Sequence, residues 1–303
     1  MFRYVLSASI LKLFSFTAST KYFYRILGNT VGARKRANGV LPKYYLERVD
    51  RMLSLHRRYG VPKNGDKILE LGTGWLHWEA ITSRLFFDVQ VVLFDVWDNR
   101  QISGIRNYIK QLDDALYMFD INNEQRGRAH KLITEIKNIK EYDDLYKLLG
   151  FKYVLDPSGL FGKLDGNSFD VVVSAGVMEH IPKKMVSGFV QGISNVLKPG
   201  GYSLHSINLR DHLYAYDRTV SVKHYMKYSD SVWKRFFENE VQYINRIQRP
   251  EWLEVFQNTG LVKVEEEIDT EDISGLHLEK SYRMLEEFDQ RCGGLRLLHR
   301  KPN

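Results

Sequence analysis

Lys67-Ile68-Leu69-Glu70-Leu71-Gly72-Thr73-Gly74-Trp75 is the stretch that decides the fold. A short apolar run that breaks at glycine, followed by the helical pattern of Trp78 to Phe86, reads as strand, turn and helix. Gly72 and Gly74 let the backbone turn tightly and approach a ligand, and the helix amino terminus offers it unpaired N–H groups. Counted from Gly72, the third glycine of a dinucleotide fingerprint falls on His77, whose side chain would crowd a pyrophosphate. That argues against NAD.

Working outward, Val89 to Val96 is a β-branched run ending in acid, the pattern of a buried parallel strand. Asp95, 21 residues beyond Gly74, stands where an acid accepts hydrogen bonds from both ribose hydroxyls. The alternative is a helix N-cap, a role that Asp98 fills better. Upstream, Pro42 to Tyr59 repeats apolar residues at helical spacing until Gly60. Downstream, the pattern predicts helices at about 102–119 and 125–149, strands at 151–155 and 169–174, and a helix at 183–197 stopped by Pro199-Gly200-Gly201. A strand at 202–208, helices at 229–246 and 251–259, and strands at 261–268 and 295–300 complete it. Strands alternating with helices predict a mostly parallel sheet of seven strands covered on both faces, an α/β Rossmann-like architecture. One crossover helix would suffice after the second strand, so residues 97–150 read as a helical insertion.

The 303 residues, 44% hydrophobic and 27% charged, allow one large domain with additions. Cys292 is the only cysteine, which excludes an internal disulfide and a cysteine metal cluster and fits a reducing cytoplasm. The net charge of +7 is concentrated before the first strand, in Lys21, Arg25, Arg34, Lys35 and Arg36 among others. Phe2 to Phe16 is apolar, but Lys12 interrupts it and it falls short of the ~20 residues of a spanning helix. Two readings stay open: Leu6, Ile10, Leu13, Phe14 and Phe16 lie flat on an anionic membrane surface, or the helix packs on the domain. The expected division is a basic, amphipathic helical segment at 1–41 and a catalytic domain at 42–303.

Two further motifs follow in order. Phe169-Asp170-Val171-Val172-Val173-Ser174 leads to Val177-Met178-Glu179-His180-Ile181-Pro182, and then comes Leu197-Lys198-Pro199-Gly200-Gly201-Tyr202. From Lys67 to Gly201 the chain resembles the class I S-adenosylmethionine-dependent methyltransferases. The resemblance implies that the last strand is antiparallel and that S-adenosylmethionine is the cofactor. It places Glu70 near the methionine end, with Gly72, Thr73, Gly74 and Trp75 wrapping the cofactor. Asp95 holds the ribose, Asp156 lies beside the adenine amino group, and Ser174 closes the set. Leu76 replaces the family's usual third glycine.

Missing motifs narrow the acceptor. Nitrogen methylases of this fold carry an Asn/Asp-Pro-Pro-aromatic motif where this chain has Ser174-Ala175-Gly176-Val177, and Cys292 is misplaced for cytosine chemistry. An oxygen acceptor on a smaller molecule is favoured, and its hydroxyl needs a base. His180 either serves as that base or packs at the next helix start, and Asp211 and His212 follow the fifth strand at the acceptor edge. No histidine pair has the spacing of a zinc helix site, so no tightly bound metal is expected. Tyr243 to Trp252, with the Asp211-His212 loop, resembles a bacterial branch found beside glycan-assembly enzymes, which implies a saccharide or lipid-linked acceptor. The cytoplasm, with peripheral contact at the inner membrane face, is the expected location. The rival functions are RNA methylation, favoured by charge but lacking an RNA-binding module, and a silent cofactor-binding scaffold.

Overall fold

β-branched residues fill the centre of the sheet and amphipathic helices cover it in the computed structural model, which describes residues 1–303. The strands are β1 (Lys67–Leu71), β2 (Gln90–Asp95), β3 (Phe151–Leu155), β4 (Phe169–Ala175), β5 (Leu197–Asn208), β6 (Val262–Thr270) and β7 (Cys292–Arg300). Their order in one seven-stranded sheet is β3-β2-β1-β4-β5-β7-β6. β1 runs parallel to β2 and β4, β2 runs parallel to β3, and β6 and β7 are antiparallel. This is the Rossmann-like arrangement, with the last strand reversed as expected. The register aligns Leu71 with Phe94 and Ser174, and Asp95 with Leu155, so the carboxyl ends of the first four strands share one edge.

By its internal contacts the chain forms two compact units, neither of them a continuous stretch. One comprises residues 29–174, 195–204 and 301–303. Its core packs α3 (Lys43–Tyr59), α4 (Trp78–Phe86) and α5 (Ile102–Ala115) with β1, β2 and β4, through Val49, Leu53, Ile81, Leu85, Leu93 and Ile109. Between β2 and β3 stand α5, α6 (Asn123–Ile136) and α7 (Tyr142–Leu149), where the periodicity predicts two helices. The break falls at the polar stretch Lys137 to Glu141, where Ile139 still reaches the core from the turn. Asp98 does not cap α5 either. It pairs with Arg100 at 2.7 Å, and Gln101 occupies the N-cap without a side-chain bond.

Strand β5 also departs from expectation. It begins at Leu197, five residues before Tyr202, and runs through Pro199-Gly200-Gly201. The glycines stay in the strand because Gly200 N–H donates to Lys301 O at 2.9 Å and Lys301 N–H donates to Gly201 O at 2.8 Å. The preceding helix α8 spans Val186–Val196, with a 3-10 turn at Lys183–Met185.

The other unit comprises residues 1–28, 175–194 and 205–300. Here α1 (Phe2–Phe14) buries Tyr4, Ala8 and Leu11, one stripe of the helix, among Leu213, Tyr225, Met226, Trp233 and Tyr282. Tyr4 OH donates to the buried Asp211 carboxylate at 2.7 Å, tying α1 to a segment over two hundred residues along the chain. The helix expected at 229–246 stops early: α9 is Asp230–Phe236, and an irregular segment to Gln248 leads into α10 (Arg249–Asn258). That segment is drawn out of helix by side-chain bonds it makes at distant turns, described below.

Two consequences can be measured. Tyr4→Phe removes a hydrogen bond to a buried carboxylate, so urea denaturation at neutral pH is expected to show a loss of about 1.5–3 kcal/mol. Lys223 is fully buried, donates to Gln248 Oε1 at 2.9 Å and to Cys292 O at 2.7 Å, and burial pushes its pKa down to about 7. Between about 7 and the ordinary lysine value the unfolded chain binds the extra proton, so this group's contribution to stability rises with pH. Relative to Lys223→Met, the native protein is expected to gain about 1 kcal/mol per pH unit from 7 to 9.

Candidate functional site

The glycine turn after β1 is built as its sequence requires. Gly72 and Gly74 take φ of +61° and +56°, which side chains with a Cβ rarely adopt. A Cβ built at Gly74 would meet only Gly72 O, at 3.7 Å, so the loop leaves room beside its backbone. Gly72 N–H donates to Phe94 O at 2.8 Å, joining the turn to the end of β2. Asp95 completes the join: Oδ2 accepts from Gly74 N–H at 2.8 Å, and Oδ1 accepts from Val96 N–H at 2.7 Å and Trp97 N–H at 3.2 Å. A carboxylate has about four acceptor positions, so roughly one remains for a ligand hydroxyl. Burial raises the Asp95 pKa, while its three N–H donors oppose the rise.

Glu70 is buried and accepts from Ala80 N–H at 3.1 Å, so it anchors the first turn of α4. Burial and the neighbouring Glu79 carboxylate push its pKa well up. Thr73 bonds the His77 ring, whose other nitrogen lies 3.0 Å from Tyr146 OH. His77 has φ of +48° and is wholly buried, so its side chain turns inward rather than crowding the loop. Trp75 is part-exposed, donates from Nε1 to Asn29 Oδ1 at 3.0 Å, and lies under the Arg36 guanidinium at 3.9 Å. Both partners come from the second half of α2 (Ala18–Asn38), a contact with no signal in the spacing of the sequence. Asp156 N–H donates to Asp95 O at 2.9 Å, and its own carboxylate accepts from the Ser158 hydroxyl at 2.8 Å, which holds its pKa low. Ser174 is buried at the end of β4, in register with Leu71. Sequence reasoning missed Trp97, Leu155 and Leu160, large apolar side chains left exposed at and after the ends of β2 and β3.

The acceptor-side candidates all belong to the other unit. Glu179 and His180 lie on a 3-10 turn, Met178–His180, just after β4, and His212 opens another, His212–Ala215, just after β5. The two imidazole rings are 5.0 Å apart. His180 Nδ1 donates to Tyr243 O at 2.7 Å, which leaves Nε2 free. His212 lies with Nε2 3.3 Å from Asn208 Nδ2, and burial, with His180 nearby, lowers its pKa to about 4. Asp211 is occupied differently: its carboxylate accepts from Tyr4 OH and, at 2.9 Å, from Leu213 N–H, capping the His212 turn. Burial raises its pKa to about 6.

The Tyr243 to Trp252 motif finds a structural use here. Asn245 Nδ2 donates to Met178 O at 2.8 Å and to Ile181 O at 3.1 Å, and Asn245 N–H donates to Glu179 O at 2.8 Å. Arg246, at φ of +58°, sits buried among Tyr225, Trp233 and Tyr282 and donates to Tyr228 O at 2.6 Å. The segment is a clamp on the Glu179-His180 turn.

Residues 41–266 match the model of the methyltransferase domain family. The chain belongs to that family. S-adenosylmethionine is the cofactor on which methyltransferases of this fold depend, and the first unit carries an open glycine turn, a carboxylate on Asp95 joined to it, and exposed apolar side chains beyond β2 and β3. None of the curated proteins matches. Among solved structures, Haemonchus contortus phosphoethanolamine N-methyltransferase 2 in complex with S-adenosyl-L-methionine is 16% identical with a TM-score of 0.47, covering 84% of this chain and 52% of that one. The chain thus spans about half the length of that protein. A candidate sarcosine dimethylglycine methyltransferase from Galdieria sulphuraria is 16% identical with a TM-score of 0.49, covering 85% and 86%. A candidate methyltransferase from Bacillus halodurans is 15% identical with a TM-score of 0.46, covering 83% and 99%.

Asp95→Ala removes both the spare acceptor and the anchor of the Gly74 turn. Calorimetric titration with S-adenosylmethionine is expected to show affinity reduced about 10–100-fold, with the fold intact by circular dichroism. Unchanged affinity would remove Asp95 from the cofactor site.

Proposed function

We propose that this methyltransferase methylates a hydroxyl oxygen on a saccharide or lipid-linked acceptor, with His180 and His212 receiving the proton. The observation that carries the reading is the pair of imidazoles 5.0 Å apart on the turns that follow β4 and β5. The carboxyl ends of strands are where open α/β sheets place their reacting ligands. The cofactor, when bound, supplies an electrophilic methyl on a sulfonium. The protein's part is to hold the cofactor, orient the acceptor and take one proton. In this proposal Gly72, Thr73, Gly74 and Trp75 wrap the cofactor, Asp95 takes a ribose hydroxyl, and Trp97, Leu155 and Leu160 flank the adenine. Glu70, Asp156 and Ser174 hold the strand ends that carry them. His180 is the principal base in this proposal because its Nδ1 hydrogen is committed to Tyr243 O, which puts the lone pair of the neutral ring on Nε2. Asp211 acts as a positioning residue through the cap of the His212 turn.

The N-terminal helices support a lipid-linked acceptor. Residues 42–303 are the catalytic part in this reading, and 1–41 bind a membrane surface. Opposite its buried stripe, α1 exposes Phe2, Leu6, Ile10 and Leu13, and α2 exposes Tyr22, Phe23, Ile26 and Leu27. Lys12, Lys21 and Arg25 lie among them, and no Asp or Glu occurs before Glu47. No helix is long and apolar enough to cross a membrane. Lys21 pairs with Glu240 and Lys12 donates to the carbonyls of Lys234 and Arg235, and an apolar face flanked by such cations matches an anionic bilayer surface.

Purified protein given methyl-labelled S-adenosylmethionine and fractionated extract of its host is expected to label a saccharide or lipid fraction. His180→Ala is expected to lower that rate by about 10²–10⁴-fold with cofactor affinity unchanged. Nuclease-sensitive label would overturn the acceptor class in favour of RNA, and cofactor binding without label in any fraction would favour a silent scaffold.

A further inference from the structure

Glu179 is an odd residue to bury. Its carboxylate is 3% exposed, and Oε2 has no hydrogen-bond partner. Backbone N–H groups of Glu179 and Asn208 serve the carboxylate, but a buried oxygen left without a donor is costly, and such groups are ordinarily matched to a cation. What lies in front of it is the histidine pair: one ligand atom from each of Glu179, His180 and His212 falls within 4.8 Å of the other two. Bonds of about 2.0–2.2 Å to one ion require nitrogen and oxygen ligands about 3–4.4 Å apart, so the cluster needs only a small contraction to close on an ion. We propose that Glu179, His180 and His212 form a binding site for a divalent transition-metal ion such as Zn2+, Mn2+ or Fe2+.

The surroundings are those of a metal site. His180 donates from Nδ1 to Tyr243 O, which fixes the ring and directs the Nε2 lone pair away from the carbonyl, as outer partners do for metal-bound histidines. Asn245 holds the Glu179-His180 turn at Met178 O and Ile181 O, so two of the three ligands are set by one rigid clamp. His212 makes only a long contact at Nε2, to Asn208 Nδ2 at 3.3 Å. Two imidazoles and one carboxylate suit borderline divalent ions and leave coordination positions open. Residue spacing carries no sign of this site because Glu179 and His212 lie on two turns, 33 residues apart, rather than on one helix face. For its chemistry the inference rests on the hydroxyl-acceptor reading and changes its base: with His180 and His212 held as ligands, the ion would take the place of the imidazole by lowering the pKa of a hydroxyl bound at an open position, whose proton would pass to solvent. As a binding site it stands alone.

The test uses the full chain, stripped by chelator and titrated with Co2+ alone, read by its visible ligand-field absorption. Saturation at one ion per chain is expected, reversed by Zn2+. His180→Ala, at an exposed position, and Glu179→Gln are each expected to weaken Co2+ about tenfold or more. His277→Ala, an exposed histidine elsewhere, is expected to change nothing. Absence of saturable absorption, or equal affinity in native protein and His180→Ala, would overturn the site. Methyl transfer that persists in chelator without Co2+ binding would sink the metal and spare the function. Saturable Co2+ binding without a labelled acceptor would do the reverse.

Discussion

The carboxylate of Asp95 is the constraint on which the unit carrying the glycine turn depends. Parallel strands β1 and β2 end at the same edge, and each end leaves backbone N–H groups without a ladder partner. Asp95 collects them: it accepts from Gly74 across the strands and from Val96 and Trp97 in its own loop. The turn that needs glycine for its shape is thereby held by an acid 21 residues later. Asp156 adds to the same join by donating its N–H to Asp95 O, which ties the end of β3 to β2. Three strand ends share one network of backbone bonds, and Trp97, Leu155 and Leu160 are left exposed along it.

On the other unit the organising contact is a carboxamide. Asn245 binds both carbonyls that flank Glu179-His180, and the adjacent Arg246 is locked among three aromatic rings. This accounts for a motif whose resemblance had pointed to glycan assembly. Its polar residues serve the turn beside the histidines, so their presence says more about local architecture than about the acceptor. Asp211 follows the same logic. Its carboxylate is spent on Tyr4 and on the cap of the His212 turn, and so connects α1 to the histidine pair.

The local patterns of the chain were strong enough to fix β1, β3, α3 and α4 to within a residue or so, because each is bounded by glycine, proline or a charge change. Patterns failed where long-range bonds compete with local preference. Residues 237–248 have helical character but give it up to bind the 178–183 turn, and Pro199-Gly200-Gly201 stays in a strand because the tail at Lys301 pairs with it.

Sequence alone determined the alternating α/β order, the glycine turn and the acid after β2, because these depend on near neighbours and on the period of apolar residues. Tertiary structure decided what each candidate side chain touches. Glu70 holds the start of a helix and Asp211 caps a turn, while Glu179, a residue with no special spacing, lies beside two histidines. The physical reason is that a side chain's chemistry follows from its burial and its partners. Those are set by folds of the chain that bring positions 4, 179, 212 and 245 into one unit.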